Sequence, residues 1–388
     1  MSIAGRLGIL SLALIGCREN TSSPTSPTAQ ASTLRRPPIA GPRSTSAIDV
    51  PGLDVDVPLV PPSPALFVRD QFSLRGLRTW DGALVAMGDR RGGGPYQIDL
   101  ADRLERARVV PLDLPHTERV LDVATLGETP VALVRTRGAL ALMFHRGNSW
   151  SIEPVPEPAR ARNDVILAAG QDALVLLQPG QLHVLRAGSW KSMSIESAPG
   201  RGSSHVLVTR DRVLMGFDAG EWGGALVSLD LATGASTPYP VTDPVTDLVA
   251  GPDGTPWAVM GLAHMGLVKG TLSRLDASAW TVVAKVDGFE GHGGKHEVNE
   301  RVGWSLPLAS FDAAAFDEQG RLHVLTGELG VVRRDGEHWT QLTPGWPDFV
   351  YVRGLAVRGA LLVIATFDAG VVLWDTSTGK ARRLEVNR

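Results

Sequence analysis

From about residue 66 onward, apolar residues fall in runs of four to eight, rich in Val, Leu and Ala, between clusters of Gly, Asp, Pro and Asn. No helical periodicity of useful length interrupts them, so the pattern predicts short strands joined by tight turns. The clearest unit is Gly330-Val331-Val332-Arg333-Arg334-Asp335-Gly336-Glu337-His338-Trp339-Thr340: a strand opened by glycine, an Asp-Gly turn, and a strand opened by tryptophan. Versions of it recur. Taking the glycine as the start of a third strand aligns Gly94, Gly138, Gly180, Gly224, Gly270, Gly330 and Gly370, at spacings of 40 to 46 residues and one of 60. Each is preceded by an apolar second strand: Ala83–Met87, Val131–Val134, Ala173–Leu177, Val213–Phe217, Trp257–Met260, Leu322–Leu325 and Leu361–Ala365. Asp81-Gly82, Pro252-Asp253-Gly254 and Glu318-Gln319-Gly320 supply turn chemistry ahead of three of them. Fourth strands open with Trp150, Trp190, Trp280 and Trp339, or follow a Thr-Gly turn at Thr233-Gly234 and Thr378-Gly379.

Seven units of this length predict an all-β fold, a seven-bladed β-propeller of four-stranded antiparallel blades over 65–388. A twisted four-stranded sheet has two apolar faces and cannot cover both alone. Stacking the sheets face to face around an axis covers every face and leaves short edges. Tryptophan at a repeated position then seals the interface between neighbouring blades. Closure of the ring has two readings. Lys380–Val386 completes the last unit and the faces close it, or Leu66-Phe67-Val68 lends that unit a strand.

The first 64 residues are different. Arg18 to about Pro64 is rich in Ser, Thr, Pro and Ala and buries too little apolar surface to order itself, so 17–64 reads as a disordered tether. A coil of that length reaches roughly 40 Å root-mean-square. Ile48-Asp49-Val50 and Leu53-Asp54-Val55-Asp56-Val57 alternate within it and could add an edge strand, although the surrounding prolines weaken this. Ahead of the tether, Arg6 precedes the apolar run Leu7–Ile15, too short to span a bilayer. Cys17, the single cysteine of the chain, follows Leu14-Ile15-Gly16. This tetrad resembles the lipobox of bacterial lipoproteins, which implies a signal peptide over 1–16, cleavage before Cys17, and acylation (palmitate among the chains) of its thiol and new amino terminus. Several acyl chains give lasting anchorage where one is marginal. An ordinary secretory signal with a chance cysteine is the alternative. Arg18 is not the aspartate of the enteric sorting pattern, which resembles an outer-membrane destination; the leaflet stays open. A chain with no other thiol suits an oxidising compartment.

The unit Asp317-Glu318-Gln319-Gly320-Arg321-Leu322-His323-Val324-Leu325-Thr326-Gly327-Glu328-Leu329-Gly330-Val331-Val332-Arg333-Arg334-Asp335-Gly336 resembles the repeats of bacterial extracytoplasmic sensor propellers found ahead of two-component regulators. The resemblance extends in part to Gly251–Asp276 and Arg358–Lys380. It implies a structural repeat shared by many functions, and so speaks to fold more than to activity. Unlike those receptors, this chain is expected to carry no membrane helix or kinase region after its propeller. WD-type propellers are less similar, since Trp374-Asp375 stands alone.

Composition narrows the function. A formal net charge of -3, with no basic run, argues against a nucleic-acid partner. There is no Gly-x-Ser-x-Gly, no P-loop and no dinucleotide fingerprint, and Gly92-Gly93-Gly94 is a loop. The 60-residue spacing holds the most informative local feature, Gly288–Arg301, between the fourth strand of one blade and the first of the next. Such connections share a face with the second-to-third-strand loops, where binding residues concentrate. That face is expected to carry Arg90, Arg91, Arg137, Asp218, Glu221, Trp222, Glu328 and Asp368. His292, His296 and Glu297, with His264, could ligate a divalent metal; a solvated glycine-rich loop is the plainer reading, since no helix sets their spacing. Such a site would resemble that of the seven-bladed antibiotic lyases and lactonases, with no residue carried over. No cofactor is expected otherwise. His183, His323 and His145 read as packing or surface residues.

The sequence therefore predicts a propeller of the cell envelope, held to a membrane by lipid, that binds a protein or an envelope polymer through its loop-bearing face. Two alternatives remain: a metal-dependent hydrolase or lyase on the same face, and an extracytoplasmic ligand sensor.

Overall fold

The computed structural model describes residues 53–55, 74–88, 95–100, 104–156, 165–195, 203–264, 267–277, 279–289, 310–327, 329–336, 338–345, 352–367 and 370–384. Cys17, Arg90, Arg91, His292, His296, Glu297, Glu328, Asp368 and the Leu66-Phe67-Val68 segment lie outside the described residues, as does the side chain of His264.

Seven four-stranded antiparallel sheets follow one another along the chain. Blade 1 comprises Leu74–Trp80, Ala83–Gly88, Tyr96–Asp99 and Arg108–Pro111. Blade 2 comprises Arg119–Leu126, Thr129–Thr136, Ala139–Arg146 and Ser149–Pro154; blade 3 Ile166–Ala169, Ala173–Gln178, Gln181–Arg186 and Ser189–Ser194. Blade 4 has Ser203–Val208, Arg212–Asp218, Gly224–Asp230 and Ser236–Tyr239; blade 5 has Val245–Ala250, Pro256–His264, Leu267–Asp276 and Ala279–Phe289. Blade 6 has Phe311–Phe316, Leu322–Thr326, Gly330–Asp335 and His338–Gln341, and blade 7 Val352–Arg358, Leu361–Thr366, Gly370–Asp375 and Lys380–Leu384. Among the described residues the only helical pieces are 3₁₀ turns at Leu104–Arg106 and Gly220–Trp222.

The turns form where the sequence supplies residues that accept positive φ. Asp81 and Gly82 have φ of 49° and 73°, the two-residue hairpin geometry that matches strand twist. Gly270 does not open its strand as the spacing predicts: it lies three residues into Leu267–Asp276, opposite Gly261. Close packing accounts for its partner, since a Cβ on Gly261 would run into the backbone of Phe311 in blade 6. The second and third strands of blade 5 extend past this contact to a hairpin at His264 and Leu267.

Seven apolar clusters occupy the seven interfaces between blades. Trp80, Val85 and Met87 of blade 1 meet Val123, Ala132 and Met143 of blade 2. At the far end Val363, Val371 and Leu373 of blade 7 meet Leu84, Tyr96 and Ile98 of blade 1. The ring thus closes by face packing, and blade 7 is complete with its own fourth strand. The repeated tryptophans pack on the preceding blade. Trp339 is buried against Val259, Leu272 and Ala284 of blade 5; Trp280, half-buried, packs on the blade 4 residues Leu214 and Leu226, and Trp190, also half-buried, on Leu133 and Phe144 of blade 2. Trp150 stacks on Trp80 of blade 1 at 5.8 Å and on His145 at 4.7 Å. Trp80 in turn donates its indole N–H to the Val131 carbonyl of blade 2 at 3.1 Å.

Blade 6 carries a fifth strand. Leu53–Val55 pairs in parallel with Trp339–Gln341 at its outer edge, as the alternation of that stretch allows. Hydrogen bonding between backbones is enough to seat three residues there, and the pairing covers an otherwise open edge.

Candidate functional site

The first strands of the blades are neighbours all round the ring, blade 7 back to blade 1 included, so they line its axis. Alternating strand direction puts the second-to-third-strand turns and the connections between blades at one end of that axis. The first-to-second and third-to-fourth turns gather at the other. Where the first strands begin, five carry a register shift: at Leu74/Gly76, Val120/Asp122, Val245/Asp247, Phe311/Ala313 and Val352/Gly354. A bulge re-aims the side chains beside it, and here polar side chains meet near the axis.

Asp122 shows how such a group is kept. Its side chain is wholly buried, one oxygen accepting from the Val123 N–H at 2.9 Å and the other from the Leu167 N–H of blade 3 at 3.0 Å. The Arg78 guanidinium of blade 1 lies 3.4 Å away. Asp247 repeats the device in blade 5, accepting from Leu248 N–H at 2.8 Å and from Ala314 N–H of blade 6 at 3.2 Å. Its neighbour on the other side is His205 of blade 4, with Nδ1 at 3.9 Å. Burial pushes the Asp247 carboxyl up to about 6, against the two N–H donors and the attraction of Arg78. Burial likewise pushes the His205 imidazole down to about 4; Asp218 opposes this, while Arg353 and Arg78 add to it. Near neutral pH the pair is therefore an ionised carboxylate beside an uncharged ring.

Above this pair lies the mouth of the ring at the loop-bearing end. Arg353, at the bulge of blade 7, reaches towards Asp218 at the end of the second strand of blade 4, with Nη1 to Oδ2 at 3.9 Å. These blades are not adjacent, so the pair bridges the axis. The Arg353 guanidinium also lies over the Phe367 ring at 5.8 Å. Asp218 accepts from the Gly220 N–H at 2.8 Å, which holds the 3₁₀ turn carrying Glu221 and Trp222. Trp222 is 84% exposed.

Of the described residues predicted for this face, Asp218, Glu221 and Trp222 lie together at one turn, and Asp218 is joined to the axial cluster. Arg137 sits in its own exposed hairpin turn at φ 49°. The sequence reading missed Arg78, Asp122, His205, Asp247 and Arg353. One signal was present: Val120-Leu121-Asp122-Val123 and Val245-Thr246-Asp247-Leu248 place a carboxylate at the same point of two apolar first strands. His183 and His323 are buried within their strands. His183 contacts Gln178 at 3.1 Å and Ser192 at 2.7 Å, and burial lowers the titration of both His183 and His323. Among the described residues no group of three or more His, Cys, Asp or Glu side chains is placed to hold a metal ion.

A hollow of about 430 Å³ at the opposite end is lined by Thr209, Arg210, Asp211, Asp253, Pro256 and Ala277, among others. Its carboxylates are engaged in their own turns, Asp211 with Arg212 and Thr209, Asp253 with Thr255. The axial cluster, built from five blades, is the better candidate.

The class these features define is the seven-bladed β-propeller with a polar axis. No protein-family model matches the chain, and no curated protein matches it by sequence. In structure it is similar to a catalytically inactive variant of virginiamycin B lyase from Staphylococcus aureus with quinupristin, at TM-score 0.50 and 11% identity, covering 78% of this chain and 96% of that one. It is also similar to YCF48 bound to D1 peptide, at 0.49 and 11%, covering 86% and 97%. A third is the extracellular domain of a hybrid two-component system from B. thetaiotaomicron, at 0.47 and 13%, where 78% of this chain spans only 38% of that one. At such identities the likeness shows the fold alone.

Proposed function

We propose that this chain is a lipid-anchored propeller of the cell envelope that binds a protein or an envelope polymer through its loop-bearing face. The observation that carries the reading is the meeting of Arg353, Asp218 and Phe367 from blades 7 and 4 at the mouth of the ring, with the exposed Trp222 on the adjoining turn. Aromatic and arginine side chains of this kind dominate binding surfaces. The anchor rests on Leu14-Ile15-Gly16-Cys17.

Two experiments test the two halves. Radioactive palmitate should label the full chain and not its Cys17→Ser variant; an unlabelled chain removes the anchor. A photo-crosslinking amino acid placed at Trp222 should give discrete adducts in intact envelopes, while one at Arg210, on the opposite end, should not. Equal adducts at both positions, or none at either, would remove the binding face.

A further inference from the structure

We propose that the mouth of the ring recognises a carboxylate carried next to an apolar side chain on a protein segment, with Arg353 as its anion anchor and Phe367 as its apolar wall. This rests on the loop-bearing face being the binding face, and names what that face takes.

Arg353 is the unusual residue. A guanidinium presents five N–H donors in a planar fork. Among the described residues this one makes no hydrogen bond: its contacts are the Asp218 carboxylate at 3.9 Å and the Phe367 ring at 5.8 Å. The side chain is 41% exposed and flanked by a β-bulge at its own backbone and by the ring. It is aimed but not engaged. A carboxylate offers the complementary two-oxygen edge, and a bidentate pair is the strong form of this contact.

Asp218 does not compete well for that role. Its Oδ1 is committed to the Gly220 N–H, and its separation from Arg353 is beyond hydrogen-bonding distance. It holds the guanidinium near the axis while an incoming acid takes the fork. Phe367, 36% exposed, adds the second requirement, since its free surface is covered only by an apolar group beside the acid. Arg and aromatic together make a site for that combination, whereas a neutral glycan would need the rings and leave the fork unused.

The test uses the full chain and three capped probes followed by calorimetry: acetyl-Gly-Gly-Phe with a free carboxylate, the same peptide as its amide, and acetyl-Glu-Phe-amide. The first and third carry the acid at the chain end and on a side chain, and the better of them identifies the source. Binding by at least one acid probe, weakened about tenfold or more in the amide and in Arg353→Gln, is expected. Arg353→Lys, which keeps the charge but not the fork, should bind at an intermediate level, and unchanged far-ultraviolet dichroism excludes misfolding. Equal binding of acid and amide, undiminished binding by Arg353→Gln, or no binding of either acid would overturn the proposal. So would binding of a neutral chitin oligosaccharide that Arg353→Gln leaves intact. Adducts at Trp222 in the crosslinking experiment would survive any of these results, which separates failure of the ligand class from failure of the face.

Discussion

Trp339 and Trp222 show the two uses of one side chain in this molecule. The first is sealed between blades 5 and 6, the second stands in solvent beside Asp218. Trp339→Ala should cost about 3–5 kcal/mol in urea unfolding, the range for a large buried side chain; Trp222→Ala should stay within about 0.5 kcal/mol. Beneath the mouth, His205 and Asp247 act in opposition. The folded value of His205 lies below its ordinary 6.5, so the stability it contributes is whole above pH 6.5 and is lost as pH falls through about 4. The folded value of Asp247 lies above its ordinary 3.8, so its contribution is whole below pH 3.8 and is lost as pH rises through about 6. Over the shared window the two nearly cancel. His205→Asn removes one arm, and on going from pH 6.5 to pH 4 the variant should gain on the order of 3 kcal/mol relative to wild type. A difference that does not change with pH would mean that burial does not depress the titration of His205.

Strands, turns and their order were legible because each rests on local chemistry repeated seven times. Asp81-Gly82 names its turn, and Leu361–Ala365 names a strand covered on both faces. What local chemistry does not encode is which strand an isolated segment joins. Leu53–Val55 reads as an edge strand from its alternation, yet its partner is Trp339–Gln341 of blade 6, far along the chain. The same holds for the bulges: a one-residue shift beside Asp122 or Arg353 leaves no mark in the alternation of a short, doubly covered strand. Pairing at an edge is testable by itself. Asp54→Pro removes the N–H opposite Thr340, and hydrogen exchange should speed up at Trp339–Gln341 alone, with less than about 1 kcal/mol lost from global stability. Faster exchange through the first three strands of blade 6 as well would show that the added strand supports the whole blade.

At the scale of the ring, seven faces meet seven faces, and closure brings together side chains that no spacing relates. Arg353 belongs to blade 7, Asp218 and His205 to blade 4, Arg78 to blade 1; only a closed circle of this size places all four on one axis. That is why the predicted loops found Asp218 and missed its partners, which sit in the apolar first strands. It also makes the convergence measurable without any ligand. The His205 ring, followed by NMR through a pH titration, reports the charges around it. Arg353→Gln removes a cation and should raise the titration of His205 above its value of about 4, while Asp218→Asn should lower it. A His205 curve that Arg353→Gln leaves in place would contradict the meeting of blades 4 and 7 across the axis, and with it the site.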